Sequence, residues 1–138
     1  MGYRLLLDTN VLLDFIDASR PQSDEAVEVF RRCARGDDEG CVSATSLKDV
    51  YHVCRKYLGD ETARDFYRAF LQVLEVLPVD GVTCRLALDS SEPDVEDGIV
   101  RVLAEEHEVD VILTRDAQAF RASTVRSMDA RTYLSQMV

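Results

Sequence analysis

The chain has 138 residues, 46% apolar and 30% charged, enough for one domain with a continuous core, while its longest apolar runs are broken well short of a membrane helix. Acidic residues outnumber basic ones by 26 to 16, giving a net charge of −10, and Lys48 and Lys56 are the only lysines. This argues against binding a polyanion through a broadly basic surface: a nucleic-acid substrate would need cations held locally by carboxylates.

Arg4 to Leu7 is a short apolar run closed by Asp8, a strand feeding a helix over Val11 to Asp17 that Thr9 and Asn10 are placed to cap. Pro21 and Ser23 open a second helix, with apolar positions at Val27, Phe30 and Cys33/Ala34, and Gly36 closes it. Cys41 to Ser43 is β-like. Ser46 and Asp49 have the spacing of a capping box and start a third helix, whose stripe runs through Leu47, Val50/Tyr51, Cys54 and Tyr57/Leu58 to Gly59. Thr62 to Leu74 forms a fourth, strongly amphipathic helix, and Val76 to Val79 a brief extended segment. Asp80 starts a helix through Leu88, which Ser90, Ser91 and Pro93 terminate. A sixth helix runs from near Asp94 to His107, and Val111 to Thr114, with no polar alternation, reads as a buried strand. Ala117 to Arg121 is a helical turn, Thr124 to Arg126 an edge strand, and Asp129 caps a closing helix through Leu134. Short apolar strands separated by helices make an α/β chain with a parallel sheet covered on both faces, expected as one domain over residues 1–138. Ligands in such sheets bind at the carboxyl ends of the strands.

Cys33, Cys41, Cys54 and Cys84 show no C-x-x-C spacing, and three of them fall on apolar faces, so free buried thiols are expected. No signal-peptide pattern opens the sequence, and a cytoplasmic location with no membrane contact is the expectation.

Asp8, Asp49, Asp97 and Asp116 each fall just past a strand or early in a helix, so the folded sheet delivers all four to one edge. Carboxylates brought together repel and raise one another's pKa unless a cation compensates, and hard oxygen ligands select Mg²⁺ or Mn²⁺. Each acid also has a plain structural role open to it. Asp8 precedes a helix N-terminus, Asp49 completes the Ser46 capping box, Asp97 stands beside a cap at Asp94, and Asp116 suits a turn. His52 and His107 lie within helices, away from strand ends, and are expected outside the chemistry.

The segments Leu7-Asp8-Thr9-Asn10, Ser43 to Val50, Asp94-Val95-Glu96-Asp97-Gly98-Ile99 and Val111 to Phe120 with its Thr114-Arg115-Asp116, taken in order, resemble the PIN domain. The resemblance covers nearly the whole chain. It implies a three-layer α/β/α fold with a roughly five-stranded parallel sheet, and a Mg²⁺- or Mn²⁺-dependent ribonuclease. It carries the acidic cluster over to Asp8, Asp49, Asp97 and Asp116, with Asp8, Asp97 and Asp116 as metal ligands and Asn10, Thr114 and Asp94 in support. Substrate contacts are expected from Arg115, and from Lys48, Arg55 and Lys56. Two departures stand out: Asp49 where glutamate is usual, and Gly98 where alanine is commoner.

The resemblance further implies RNA as substrate, a cognate antitoxin as partner in a toxin–antitoxin pair, and a homodimer. The aromatic stripe Tyr51, Tyr57, Phe66, Tyr67 and Phe70 suits either a core or a partner groove. The competing reading is a catalytically degenerate fold that binds nucleic acid or protein. Receiver domains and haloacid-dehalogenase-like phosphatases also place an acid after the first strand, but they need a lysine after a late strand, and none stands there.

Overall fold

In the computed structural model, which describes residues 2–90, 92 and 94–138, five strands form one parallel sheet in the order β3-β2-β1-β4-β5. They are β1 (Arg4–Leu7), β2 (Glu39–Ser43), β3 (Glu75–Leu77), β4 (Val111–Leu113) and β5 (Arg126–Met128). The helices are α1 (Thr9–Ile16), α2 (Ser23–Arg35), α3 (Ala44–Leu58), α4 (Asp60–Val73), α5 (Gly81–Leu88), α6 (Val95–Glu106) and α7 (Ala130–Gln136), with a 3-10 turn over Ala117–Phe120.

Strand alternation sorts the core into two layers. Leu5, Leu7, Val42, Val111 and Leu113 face α1, α2, α3, α4 and α7, where Phe70 and Tyr133 are the largest buried rings. Leu6, Cys41 and Ile112 point the other way, onto α5, α6 and Phe120 of the 3-10 turn. Both faces of the sheet are therefore dry, as runs such as Leu5-Leu6-Leu7 and Val111-Ile112-Leu113 require. Cys33, Cys41 and Cys54 are buried free thiols, and Cys84 is exposed and free. Among the described residues no helix is long and apolar enough to cross a membrane.

The expected elements are all present, several with shifted ends, and three of the shifts have a clear local cause. Asp8, not Thr9 or Asn10, caps α1: its extended backbone lets the carboxylate accept from the Thr9 amide, and the helix starts before its apolar stripe does. Ser43, not Ser46, caps α3 by accepting from the Ser46 amide, so Asp49 lies in the second turn and the capping-box role falls away. The last strand is Arg126–Met128 instead of Thr124 to Arg126, because the Thr124 amide and hydroxyl are held by Glu105 in the preceding loop. Of the residues expected to terminate α5, Ser91 and Pro93 lie outside the described residues.

The chain lays β2 and β3 to one side of β1, then returns to place β4 and β5 on the other. The connections thus diverge between β1 and β4, which pair over Leu5↔Val111, Leu6↔Ile112 and Leu7↔Leu113, and a crevice opens beyond their carboxyl ends.

Candidate metal centre

Asp8 leaves β1 at that crevice, anchored by its amide donating to the Leu113 carbonyl at 2.9 Å. One carboxylate oxygen accepts from the Thr9 amide (2.9 Å) and the other from the Thr114 hydroxyl (2.9 Å). Thr114 is fully buried just past β4, and its hydroxyl oxygen in turn accepts from the Asp116 amide at 3.0 Å. One threonine therefore fixes the two acids that follow the central strands. Asn10, half-buried on the first turn of α1, makes no side-chain hydrogen bond among the described residues.

The remaining acids arrive on helix N-termini. Asp94 caps α6, its carboxylate accepting from the Asp97 amide at 2.8 Å, and the first turn of the helix then carries Glu96 and Asp97. Gly98, next along, is the small residue that lets α6 approach α5. A β-carbon there would meet the Ala87 carbonyl oxygen at 2.6 Å and the Ser90 hydroxyl at 2.7 Å, so alanine does not fit. Asp49 reaches the edge from α3, where it pairs with Lys48 at 2.8 Å and shares a hydrogen bond with Glu96.

The acids act on one another. Burial is the main cause raising Asp8 above the ordinary aspartate range; the Thr114 and Thr9 hydrogen bonds oppose it, and the charges of Asp116 and Asp94 add to it. Burial, then the charges of Asp94, Asp8 and Asp116, push Asp97 up to about 6. Glu96 is pushed up to about 7, chiefly by its hydrogen bond to Asp49, and Asp49 is correspondingly lowered, so that pair holds its proton on Glu96.

As their side chains stand, no three acids among the described residues converge closely enough to share one ion. Their chemistry nonetheless suits a hard divalent cation: the donors are carboxylate oxygens, and no cationic side chain figures among the leading influences on Asp8 or Asp97.

The fold brings Asp8, Asp94, Asp97, Thr114 and Asp116 to one crevice, with Asp49 at its border through Glu96. Arg115, just past β4, pairs through its guanidinium with Asp14 at 3.2 Å, a carboxylate only 1% exposed that also binds Arg20 at 2.7 Å. That clamp ties α1 to the loop after β4. Glu96 and Asp14 are the residues that sequence reasoning missed. Glu96 adjoins Asp97 in a first helical turn, and Asp14 interrupts an apolar helix, a signal for a buried acid with a partner. The aromatic stripe divides. Phe66 and Phe70 pack with Phe15 and Phe30 in the core, Tyr51 and Tyr67 meet edge to face, and Tyr57 is 73% exposed.

A model of the PIN domain matches residues 4–118, and the chain belongs to that family. No curated protein matches the sequence. Among solved structures, the fold is similar to that of VapC20 from Mycobacterium tuberculosis, a sarcin–ricin-loop-cleaving toxin (15% identity, 86% of this chain and 94% of that one, TM-score 0.68). It is also similar to a chain of a toxin–antitoxin complex from Klebsiella pneumoniae (17%, 91% and 97%, TM-score 0.68) and of DNA-bound VapBC from Salmonella typhimurium (20%, 93% and 98%, TM-score 0.69).

Proposed function

We propose that this chain is a divalent-metal-dependent endoribonuclease, hydrolysing phosphodiester bonds of single-stranded or structured RNA, and that it is the toxin of a toxin–antitoxin pair. The observation that carries the reading is the set Asp8, Asp97 and Asp116 at the β1–β4 crevice, where burial and the neighbouring carboxylates raise the cost of charging Asp8 and Asp97 and no cationic side chain is among the leading influences. Such a cost is tolerated where a cation is to be bound. Asp8, Asp97 and Asp116 would hold Mg²⁺ or Mn²⁺, which supplies an activated water and charge neutralisation at the scissile phosphate. Thr114 fixes Asp8 and the backbone of Asp116, Asp94 holds the start of α6 so that Asp97 faces inward, and the unbonded Asn10 amide is free to orient water or ligand. The likeness to toxins, some solved with antitoxins, supports a cognate antitoxin as partner.

One observation favours the other reading, a degenerate fold that only binds: the acid side chains stand apart as placed. The two readings separate in one assay. Purified protein and an equally folded Asp8→Asn variant are incubated with mixed single-stranded RNA in Mg²⁺, in Mn²⁺ and in EDTA. Cleavage that needs metal and drops by about a hundredfold or more in the variant supports the nuclease. Equal inertness of both proteins with either metal would leave the binding module.

A further inference from the structure

Between α3 and α4 lies a groove of about 480 Å³ lined by Lys48, Tyr51, His52, Arg64, Tyr67 and Arg68. Its lining is unusual for this molecule: in a chain of net charge −10, it gathers three permanent cations, two tyrosines and a histidine. Each cation has an acid beside it, Lys48 with Asp49 (2.8 Å), Arg64 with Asp60 (2.8 Å) and Arg68 with Asp65 (2.9 Å). All three are more than 60% exposed, however, and exposed pairs of this kind are weak enough to exchange an acid for a phosphate oxygen. The tyrosines are held: Tyr51 donates to Asp60 and meets Tyr67 edge to face at 5.9 Å, so their rings are presented without the entropy loss of free side chains.

The groove is continuous with the acid cluster. Lys48 adjoins Asp49, Lys48 and His52 both favour the ionised form of Asp49, and Asp49 is hydrogen-bonded to Glu96 on α6. Exposed cations interleaved with aromatic rings, leading away from a phosphodiester-cutting centre, have the composition of a single-strand track, in which cations follow the backbone and bases stack.

We propose that this groove carries the RNA strand next to the scissile bond, with phosphates on Lys48, Arg64 and Arg68 and a base against Tyr51 and Tyr67. The proposal rests on the nuclease reading, but it is tested by binding. In an Asp8→Asn background, Arg64→Gln/Arg68→Gln is compared with Arg31→Gln/Arg35→Gln, an equal charge change on exposed α2. Anisotropy of a short labelled single-stranded oligoribonucleotide is followed in Mg²⁺ across a salt series, and circular dichroism checks that each variant is folded. Losing two phosphate contacts lowers the log–log salt slope by about 1.4, which weakens binding roughly 25-fold at about 0.1 M salt, and the α2 variant binds like the parent. Photocrosslinking of the RNA to peptides containing Tyr51 or Tyr67 is expected as well.

Unchanged affinity in the groove variant, or an equal loss in the α2 variant, would overturn the track and leave the groove to a protein partner. A parent that binds no RNA would overturn it too. If the groove-dependent binding appears while the unmodified protein cuts no RNA, the track stands and the nuclease reading fails.

Discussion

Carboxylates at the two edges of the sheet are treated in opposite ways. At the amino edge, Asp38 is 3% exposed and fully matched: it accepts from Arg32 at 2.9 Å and from the Tyr3 amide at 3.0 Å. Burial alone would raise its pKa, yet the Arg32 hydrogen bond, the Tyr3 amide, Tyr133 and the Arg32 charge together hold it below the usual range. On α1, Asp14 is likewise buried and matched, by Arg20 at 2.7 Å and Arg115 at 3.2 Å. At the carboxyl edge, Asp8 and Asp97 have other carboxylates for neighbours and are raised. The first arrangement holds the fold together, and the second stores a repulsion that a proton or an added cation relieves. Burial raises the cost of charging in Asp38 as in Asp8 and Asp97; the charge of the neighbours decides the outcome.

Removing one acid from each edge should break this comparison most visibly. Asp38→Ala strands the Arg32 guanidinium among buried groups and is expected to cost about 3 kcal/mol, read from urea unfolding. Asp97→Asn should do the reverse, raising the melting temperature of metal-free protein while lowering RNA cleavage by about two orders of magnitude or more. Should both substitutions destabilise alike, the carboxyl edge would be ordinary structure.

A smaller effect sharpens what positions the raised acids. Gly98→Ala gains up to about 1 kcal/mol of helix propensity but forces a methyl onto the Ala87 carbonyl, a backbone atom that cannot step aside. A net loss of about 1–2 kcal/mol in thermal or chemical unfolding is expected, together with reduced activity as α6 is pushed off α5. A neutral or stabilising result would mean that this helix pair yields without cost.

The sequence announced the fold well because its strands are apolar on both faces and its helices are amphipathic, so periodicity alone separates them. The aspartates were legible for the same reason: each follows a strand or opens a helix, and topology does the rest. Asp49 was harder. Ser46 with Asp49 looks like a capping box, but Ser43, three residues earlier, takes the cap, and only the position of the strand end decides between two serines. The Arg115–Asp14 pair was not legible, because sequence shows the charge of Arg115 and not the buried Asp14 that it meets. The Asp49–Glu96 pair joins residues 47 positions apart through a side-chain contact, which no local pattern encodes.

The finest test is the pH dependence of the metal-free protein. Asp97, at about 6, holds its proton in the folded state through a range where the unfolded chain has lost it. The folded state therefore binds more protons than the unfolded between about pH 4 and 6, and stability falls as pH rises through that window. Asp38 has the opposite sign: its contribution is present above the ordinary aspartate pKa and is lost only on acidification below it, so it stays constant over the same range. Glu96, raised to about 7, adds to the decline up to that pH, whereas lowered Asp49 acts only on acidification below the ordinary aspartate range. Melting temperatures in EDTA should consequently decline from pH 5 to pH 7.5, and the decline should be shallower in Asp97→Asn. Mg²⁺ or Mn²⁺ should raise the melting temperature more at the upper pH, because binding at the lower pH must first displace protons from Asp97 and Glu96. A metal effect that is the same at both pH values would place the ion away from these acids, and a slope unchanged in Asp97→Asn would assign the decline to Glu96 and to the chain's overall negative charge.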